Sequence, residues 1–353
     1  MHLQEINQLD LFSGIGGFHL GFERAGYKVN SYFSEVDKHA VAVYKNQFKD
    51  STYVGSVTDV RGADLPRIDL ITFGSPCQDF SLAGKRKGMG GERSSLITEA
   101  IRLVHECRPR VFIWENVKGT FSSNNGADFW AIIQAFANIG GYRCEWQLCN
   151  TSWFLPQNRE RIYLVGYLAE TRGDWGGVFP IGEGTGKSNQ LERQQGIANC
   201  LHTKYQNLGN GAYIGERTLK KNIKVKSATS KEAVIEPKYN YKKVNETIEQ
   251  NPNEFKEGEA RMMDLHNRKV QDISPCLVEP HHNAASLFNG YRIRRLTPIE
   301  CERLQGFPDN HTEYGNYDGE VKKMSNTQRY KQCGNAVTVD VVQAIANKLK
   351  PLF

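Results

Sequence analysis

The sequence predicts an α/β protein whose first half forms a largely parallel sheet. Strand signals and helix signals alternate over residues 1–170, and a glycine-rich turn follows the first strand. After about residue 172 this alternation stops, and polar and basic residues dominate. Alternating strands and helices are typical of parallel sheets, in which ligands bind beyond the carboxyl ends of the strands. The 353 residues suffice for two domains, at about 150 residues each.

Apolar runs bounded by turn residues predict the strands of this sheet. The runs are residues 9–12, Val29–Phe33, Ile68–Phe73, Val111–Trp114 and Ile162–Val165. Apolar residues at helical spacing lie between the runs. The predicted helices run up to Ala25, from Lys38 to Asn46, from Leu96 to Cys107 and from Ala131 to Ile139. Gly26 stands where the left-handed residue after a helix belongs.

The α/β pattern returns near the C-terminus. Pro298 suits the first turn of a helix and predicts one from Ile299 to Leu304, and residues 337–349 predict a closing helix. In the intervening region, residues 197–201 and 273–277 share the pattern Ile-x-x-Cys-Leu. This similarity is either chance or the trace of two related strand-turn-strand pieces.

Composition excludes several classes of protein. Hydrophobic residues make up 39% and charged residues 24% of the chain, which is too apolar for a disordered protein. No apolar run reaches the roughly 18 residues of a membrane span, and residues 1–5 lack a signal-peptide pattern, so we expect a cytoplasmic protein. The eight cysteines include no C-x-x-C pair, which predicts reduced thiols and no metal site.

The net charge of +6 is concentrated in one segment. Residues 217–243 contain nine basic and two acidic residues, a local net charge of +7. This segment is either a solvated loop or a surface that faces phosphates. A polyanionic partner is therefore permitted, although charge alone does not establish one.

A glycine-rich loop and a carboxylate follow the first two predicted strands. The loop is Phe12-Ser13-Gly14-Ile15-Gly16-Gly17, and glycines here let a ligand approach the backbone and the helix N-terminus. Glu35 ends the second strand, where a carboxylate commonly holds ribose hydroxyls. A purely structural tight turn is the alternative, but together the two features favour a nucleoside-type cofactor.

Cys77 follows the third predicted strand, in the run Gly74-Ser75-Pro76-Cys77-Gln78. A lone cysteine is usually a small core residue, but polar, turn-forming neighbours argue against burial here. At the mouth of a parallel sheet its thiolate is placed for nucleophilic attack. The next segment, residues 81–93, combines glycines with basic residues, which describes either a mobile lid or a surface loop.

Two further runs carry charged side chains at strand ends. Glu115 follows a strand, and a carboxyl group in a site that excludes water can serve as a proton donor. Residues 157–161 read Gln-Asn-Arg-Glu-Arg before the last strand, so Arg159 and Arg161 share one face. We expect Arg161 to point into the site and Arg159 to support it.

Together these runs resemble the DNA (cytosine-5) methyltransferase family, over about residues 8–166 and 291–349. Seven motifs stand in the family's order: residues 10–17, 34–37, 74–78, 115–117, 157–161, 295–308 and 334–337. The resemblance implies a Rossmann-like methyltransferase domain with a mostly parallel sheet and a smaller, irregular, β-rich target-recognition domain. It divides the chain into a catalytic domain, residues 1–171 and 320–353, and a recognition domain, residues 172–319, which includes the junction motif at 291–308.

The resemblance implies S-adenosylmethionine as the cofactor. Phe12 would lie against the adenine, Glu35 would hold the ribose, and residues 335–337 would close the site. The full implied set is Phe12, Ser13, Gly14, Ile15, Gly16, Gly17, Glu35, Val36, Ser56, Val57, Pro76, Asn335, Ala336 and Val337. Two positions depart from the family: Ser56 stands where an aspartate often contacts the adenine amine, which leaves that contact to its hydroxyl or to nearby Asp59, and Val36 stands where an aromatic is frequent.

The resemblance also implies roles in catalysis. Cys77 would be the nucleophile on C6 of a flipped-out cytosine, Glu115 would hydrogen-bond N3 and the exocyclic amine, and Arg161 would bind O2, with Arg159 beside it. The lid would contribute Gln78, Ser81, Gly84, Lys85, Arg86 and Lys87. Arg295, Glu302 and Arg303 would have a mainly structural role.

The implied substrate is double-stranded DNA, bound by a monomer in a bacterial or phage-infected cell, with a restriction endonuclease as an associated but not stably bound enzyme. Three alternatives stay open. An RNA methyltransferase of the same fold would carry a Cys-Phe-Thr tripeptide, which this chain lacks. A non-catalytic DNA-binding relative has no need for Cys77, Glu115 and Arg161. A nicotinamide dehydrogenase has no use for residues 76–77 and 115–116.

Overall fold

The computed structural model describes most of the first 168 residues and the last 62. The described residues are 3–75, 96–121, 127–168, 177–182, 234–235, 246–247, 249–251, 260–264, 269–271, 274, 285–289 and 292–353. The strands are β1 (Gln4–Leu11), β2 (Tyr27–Ser34), β3 (Thr52–Tyr53), β4 (Leu70–Phe73), β5 (Val111–Val117), β6 (Tyr142–Asn150), β7 (Glu160–Leu168), β8 (Val234–Ile235), β9 (Ala260–Asp264), β10 (Lys269–Gln271), β11 (Ala285–Asn289), β12 (Arg292–Arg295), β13 (Tyr314–Tyr317) and β14 (Glu320–Lys323). The helices are α1 (Gly17–Arg24), α2 (Lys38–Gln47), α3 (Leu96–Cys107), α4 (Ala127–Asn138), α5 (Pro298–Leu304), α6 (Asn326–Asn335) and α7 (Val339–Leu349).

The main sheet has seven strands in the order β3-β2-β1-β4-β5-β7-β6. Strands β1 to β5 run parallel to one another, and β7 runs antiparallel to both β5 and β6. The predicted, largely parallel α/β sheet is therefore confirmed. The strand order reverses between β1 and β4, and this is the point at which open sheets bind their ligands.

Helices cover both faces of the sheet. On one face, α1 packs against α7: a Cβ on Gly21 would lie 2.5 Å from Cγ1 of Val342, so the two backbones approach closely. On the other face, the apolar sides of α3 and α4 bury Leu103 and Phe136 against β4 and β5. Because α7 ends the chain and α1 nearly begins it, the C-terminal residues complete the first domain's core.

The returning segment joins this core earlier than residue 320. Phe307 and Met324 pack with Ile15 and Val43 in one buried cluster. The predicted domain boundary assigned residues up to 319 to recognition. Residue 307, within that range, nevertheless packs against the glycine-loop region, and the domain boundary stays a prediction.

Strand β6 and helix α6 were not predicted. Strand β6 does show alternation, because Glu145 and Gln147 face one side and Trp146 the other. Glu145 accepts hydrogen bonds from the backbone N–H groups of residues 178 and 179, and Gln147 exchanges two with residue 181. The polar side chains thus bind a loop that follows much later in the chain, and this contact is invisible to a local pattern.

A second, five-stranded sheet has the order β10-β9-β11-β12-β8, and β13 pairs with β14 in a hairpin. Within the described ranges, none of the helices is both long and apolar enough to span a bilayer. The same residues contain no cluster of three His, Cys, Asp or Glu side chains suited to a metal ion.

Candidate active site

The loops after β1 and β2 are joined by the carboxylate of Glu35. Its Oε2 accepts a hydrogen bond from the backbone N–H of Gly14 at 2.9 Å, and its Oε1 accepts from Val36 and Asp37 at 2.8 and 2.9 Å. The backbone N–H of Ser13 donates to the carbonyl of Ser34. Glu35 is therefore fixed at the mouth of the sheet before any ligand binds.

The three glycines of the loop have different tasks. Nothing lies within 4 Å of the position a Cβ would take on Gly14, which leaves this backbone open to a ligand. A Cβ on Gly16 would lie 2.3 Å from the ring of Phe48, and one on Gly17 would lie 2.6 Å from Val337. Gly16 and Gly17 thus permit close packing, with the C-terminal motif brought directly against the loop.

The surroundings of Gly14 suit a polar, nucleoside-type group. The Oγ of Ser13 is buried and makes no hydrogen bond. The space beside Gly55, just before Ser56, is open as well. Phe12 adopts a left-handed backbone conformation with φ of 53°, which is costly for a residue other than glycine. An unsatisfied hydroxyl, a fixed carboxylate and two open glycines fit a ligand with hydroxyl groups and an aromatic base.

The other positions predicted to contact a cofactor differ in how exposed their side chains are. The side chain of Val36 is 78% exposed, so an apolar surface stands free beside Glu35. Ser56 uses its hydroxyl within its own turn, 2.9 Å from that of Thr58. Three of these residues have buried side chains, so only their backbone could contact a cofactor: Ile15, Val57 and Ala336. Asn335, by contrast, is exposed.

The candidate catalytic pair lies on β5 and β7. Antiparallel pairing places Val117 opposite Arg161, and the side chain of Arg161 reaches back along β5. Its Nε lies 3.2 Å from Oε1 of Glu115, and both side chains are almost buried. A carboxyl group and a guanidinium in a site this closed are well placed to bind the polar edge of a planar base.

Residues just before Cys77 are held next to Glu115. The amide of Asn116 donates to the carbonyl of Ser75 at 3.1 Å, and the indole N–H of Trp114 donates to the Ser75 hydroxyl at the same distance. Ser75 is the last described residue before the segment that contains Cys77. The predicted site residues that lie outside the described residues are Pro76, Cys77, Gln78, Ser81, Gly84, Lys85, Arg86 and Lys87.

The contacts of Arg159 make it a positioning residue. It is 3% exposed, and its guanidinium donates to the carbonyls of Gly334 at 3.2 Å and Ala336 at 2.9 Å. The sequence grouped Arg159 with the catalytic residues, because alternation puts it on the face of Arg161. In the structure these two contacts join Arg159 to the backbone of the C-terminal motif, and its place among the catalytic residues stays a prediction.

Sequence reasoning also missed Asp10, within the first motif. Asp10 is fully buried in β1 and accepts a hydrogen bond from the hydroxyl of Thr72 at 2.7 Å. Burial raises the pKa of Asp10 to about 8, which favours the neutral form beneath the glycine loop. A lone polar residue within an apolar strand is the signal that could have identified it.

Comparison with known proteins identifies the family. The sequence model of the C-5 cytosine-specific DNA methylases matches residues 6–351, nearly the whole chain. The chain belongs to this family. It is a DNA (cytosine-5) methyltransferase, as the seven motifs predicted.

Individual relatives agree with this assignment. The methyltransferase is 33% identical to the Type II methyltransferase M1.ScrFI of Lactococcus lactis subsp. cremoris, over 97% of this chain and 77% of that one. It is 32% identical to the Type II methyltransferase M.NlaX of Neisseria lactamica, over 97% and 95%. Its structure resembles that of the Dnmt2 methyltransferase of S. pombe, with a TM-score of 0.59, 18% identity and coverage of 98% and 99%. At this identity the likeness concerns the fold, and it confirms the predicted methyltransferase domain.

Gly74 gives the first prediction, because it lets the carboxylate of Glu115 approach. An added Cβ would lie 3.1 Å from Oε2 of Glu115. Gly74→Ala is expected to shift this carboxylate and to slow methylation by about 10-fold to 100-fold, since small misplacements of reacting groups are costly. The measurement is incorporation of tritiated methyl groups into DNA. Gly119→Ala is the matched control, because its Cβ would meet only Val117 at 3.8 Å; equal rates for both variants would contradict the prediction.

Proposed function

We propose that this methyltransferase acts on a cytosine flipped out of duplex DNA, through a covalent bond between Cys77 and C6 of the base. The observation that carries the proposal is the buried Glu115–Arg161 pair beside Gly74 and Ser75, at the same sheet edge as Glu35. A base inside a duplex cannot reach such a closed pair, so it must leave the stack.

The residue types match the chemistry that cytosine needs. C5 of cytosine is a poor nucleophile until a group adds at C6. The thiolate of Cys77 forms the bond to C6 while Glu115 donates a proton to N3, and the electron pair of the ring double bond is then available at C5. Arg161 hydrogen-bonds O2 and holds the ring in register with the thiol. After methylation, the C5 proton leaves to solvent, the ring double bond forms again and Cys77 departs from C6 as the thiolate, while N3 returns its proton to Glu115.

The groups around Gly14 fit S-adenosylmethionine, which supplies an electrophilic methyl group when bound. Glu35 would hold the ribose hydroxyls, and Phe12 and the exposed Val36 would contact the adenine. Ser56 offers a hydroxyl where the family often has an aspartate, so the adenine amine would meet a neutral acceptor. Asn335, Ala336 and Val337 close the site from the C-terminal side, held there by Arg159 and Gly17.

Target recognition is assigned to the variable region, from residue 172 to about Leu296. Its basic run, residues 217–243, supplies phosphate contacts, while polar side chains read base edges. The segment of residues 81–93 acts as the lid over the flipped base. We further infer a monomer that works on cytoplasmic DNA, paired with a restriction endonuclease that does not stay bound.

Bisulfite sequencing tests this function directly. The protein is expressed in a bacterial strain without cytosine methylation of its own, and genomic DNA and transfer RNA are both sequenced. We expect protected cytosines within one short DNA sequence and none with the Glu115→Gln variant, which cannot protonate N3. Methylated transfer RNA with unmethylated DNA would favour an RNA substrate, and DNA methylation retained by Glu115→Gln would remove Glu115 from the mechanism.

A further inference from the structure

Residues 157–161 connect three functional parts of the molecule. They form an almost extended segment that leads into β7, and its residues 157, 159 and 161 contact different partners. At about 3.3 Å per residue, the segment spans only about 13 Å. A shift of residue 157 is therefore expected to move residue 161 as well.

The first partner is the recognition region. The backbone N–H of Asn158 donates to the carbonyl of Ser274 at 2.8 Å, and the N–H of Ser274 donates to the carbonyl of Pro156 at 3.0 Å. Ser274 is 2% exposed and forms an isolated bridge with Gln157. The bridge falls in the second copy of the Ile-x-x-Cys-Leu pattern, residues 273–277, to which the proposed function gives no role.

The second partner is the end of α5. Gln157 is fully buried, and its amide donates to the carbonyl of Leu304 at 2.7 Å. The next residue, Gln305, donates to the carbonyl of Cys333 at 2.8 Å and accepts from the hydroxyl of Thr338 at 3.1 Å. Gln157 is thus linked, through Leu304 and its chain neighbour Gln305, to Cys333 and Thr338, which flank the cofactor motif at residues 334–337.

The third partner is the cofactor motif itself. Arg159 holds the carbonyls of Gly334 and Ala336, whereas Arg161, two residues later, lies against Glu115. Arg159, just before β7, and Arg161, within it, therefore place the contact with the cofactor motif and the group assigned to the target base two residues apart. A guanidinium that bridges two carbonyls fixes direction as well as distance.

We propose that Gln157 and Arg159 are positioning residues that couple binding of target DNA to binding of the methyl donor. DNA engaged by the recognition region fixes residues 156–158 through Ser274, and Arg159 passes this order to Gly334 and Ala336. The inference rests on the proposed function, because it needs the cofactor at residues 334–337 and the base at Arg161. Coupling of this kind is reciprocal, so either ligand reports it.

The test is calorimetric binding of S-adenosylhomocysteine, the demethylated donor, to the whole protein. Binding is measured without DNA and with a duplex carrying the sequence that bisulfite sequencing identifies. In the wild-type protein the duplex is expected to tighten binding at least about fivefold. We call the ratio of the affinities measured with and without the duplex the coupling factor. In Arg159→Lys, which cannot bridge both carbonyls, this factor is expected to fall close to one.

Two further variants separate coupling from damage to the fold. Gln157→Leu keeps the volume and removes the amide donor to Leu304, so it is expected to lose part of the factor and tests the coupling if Arg159→Lys does not fold. Arg108→Lys is the matched control, because Arg108 also donates to two carbonyls, those of Ile139 and Gly140, at 3.1 and 2.9 Å. It is expected to keep the wild-type factor.

The outcomes are distinct. The duplex could tighten binding of S-adenosylhomocysteine to Arg159→Lys and Gln157→Leu as much as to the wild-type protein, even if both variants bind more weakly overall. That result would overturn the coupling and leave the proposed function standing. A wild-type protein that shows no coupling would overturn it too. Failure of the wild-type protein to bind either S-adenosylhomocysteine or the duplex would instead remove the proposed function, and the inference with it.

Discussion

The Cys77→Ser variant is expected to lose methyl transfer by roughly 10³-fold or more while it still binds DNA. A hydroxyl is a far weaker nucleophile than a thiolate at neutral pH, so the bond to C6 does not form. Neither the Glu115–Arg161 pair nor the recognition region includes this atom. Binding of the duplex should therefore survive the substitution.

Covalent trapping checks this result independently of turnover. A duplex with 5-fluorocytosine at the target position lacks the proton whose loss expels the enzyme, so the wild-type protein should remain attached and run as a shifted band on a denaturing gel. Cys77→Ser should give no such band. Cys144→Ser is a control, because Cys144 is a half-buried thiol on β6. Methyl transfer by Cys77→Ser, or a shifted band when this variant is mixed with the 5-fluorocytosine duplex, would refute the mechanism.

The largest effect on stability is expected at Glu302. Its carboxylate is fully buried, forms an ion pair with Arg329 at 2.8 Å and accepts backbone hydrogen bonds from Asn310 and Thr312. Glu302→Gln keeps the shape but leaves the Arg329 guanidinium buried without a counter-charge. It also places the amide NH₂ group of the new glutamine among groups that are themselves hydrogen-bond donors. Removal of one partner of a buried pair costs about 3–5 kcal/mol.

Urea unfolding measures this change in the free energy of unfolding. The exposed pair of Arg303 and Asp309, on the same stretch of chain, provides the control through Asp309→Asn. Exposed ion pairs contribute about 0–1 kcal/mol, so this variant should unfold near the wild-type midpoint. Similar midpoints for both variants would show that Glu302 does not anchor the junction between α5 and α6.

Local sequence predicted the elements that carry strong patterns. Helix α3 begins and ends at the predicted residues, and Gly26 takes the left-handed conformation expected after α1, with φ of 89°. The alternation of strand and helix signals and the glycine-rich loop were sufficient to predict the fold class, because both depend on neighbours in the chain. The seven motifs were sufficient for the family.

The chain by itself also predicted the residue types for the reaction: a thiol, a carboxyl group and a guanidinium, each near one end of a strand. Only the tertiary structure decided how they are divided between chemistry and support. Arg159 and Arg161 are equivalent in an extended pattern, yet one contacts Glu115 and the other holds residues 334–336. Gly14 and Gly16 look alike in the motif, yet one is open and the other is packed against Phe48. The reason is physical: a side chain's role depends on partners that are distant in sequence, and long-range packing alone brings those partners together.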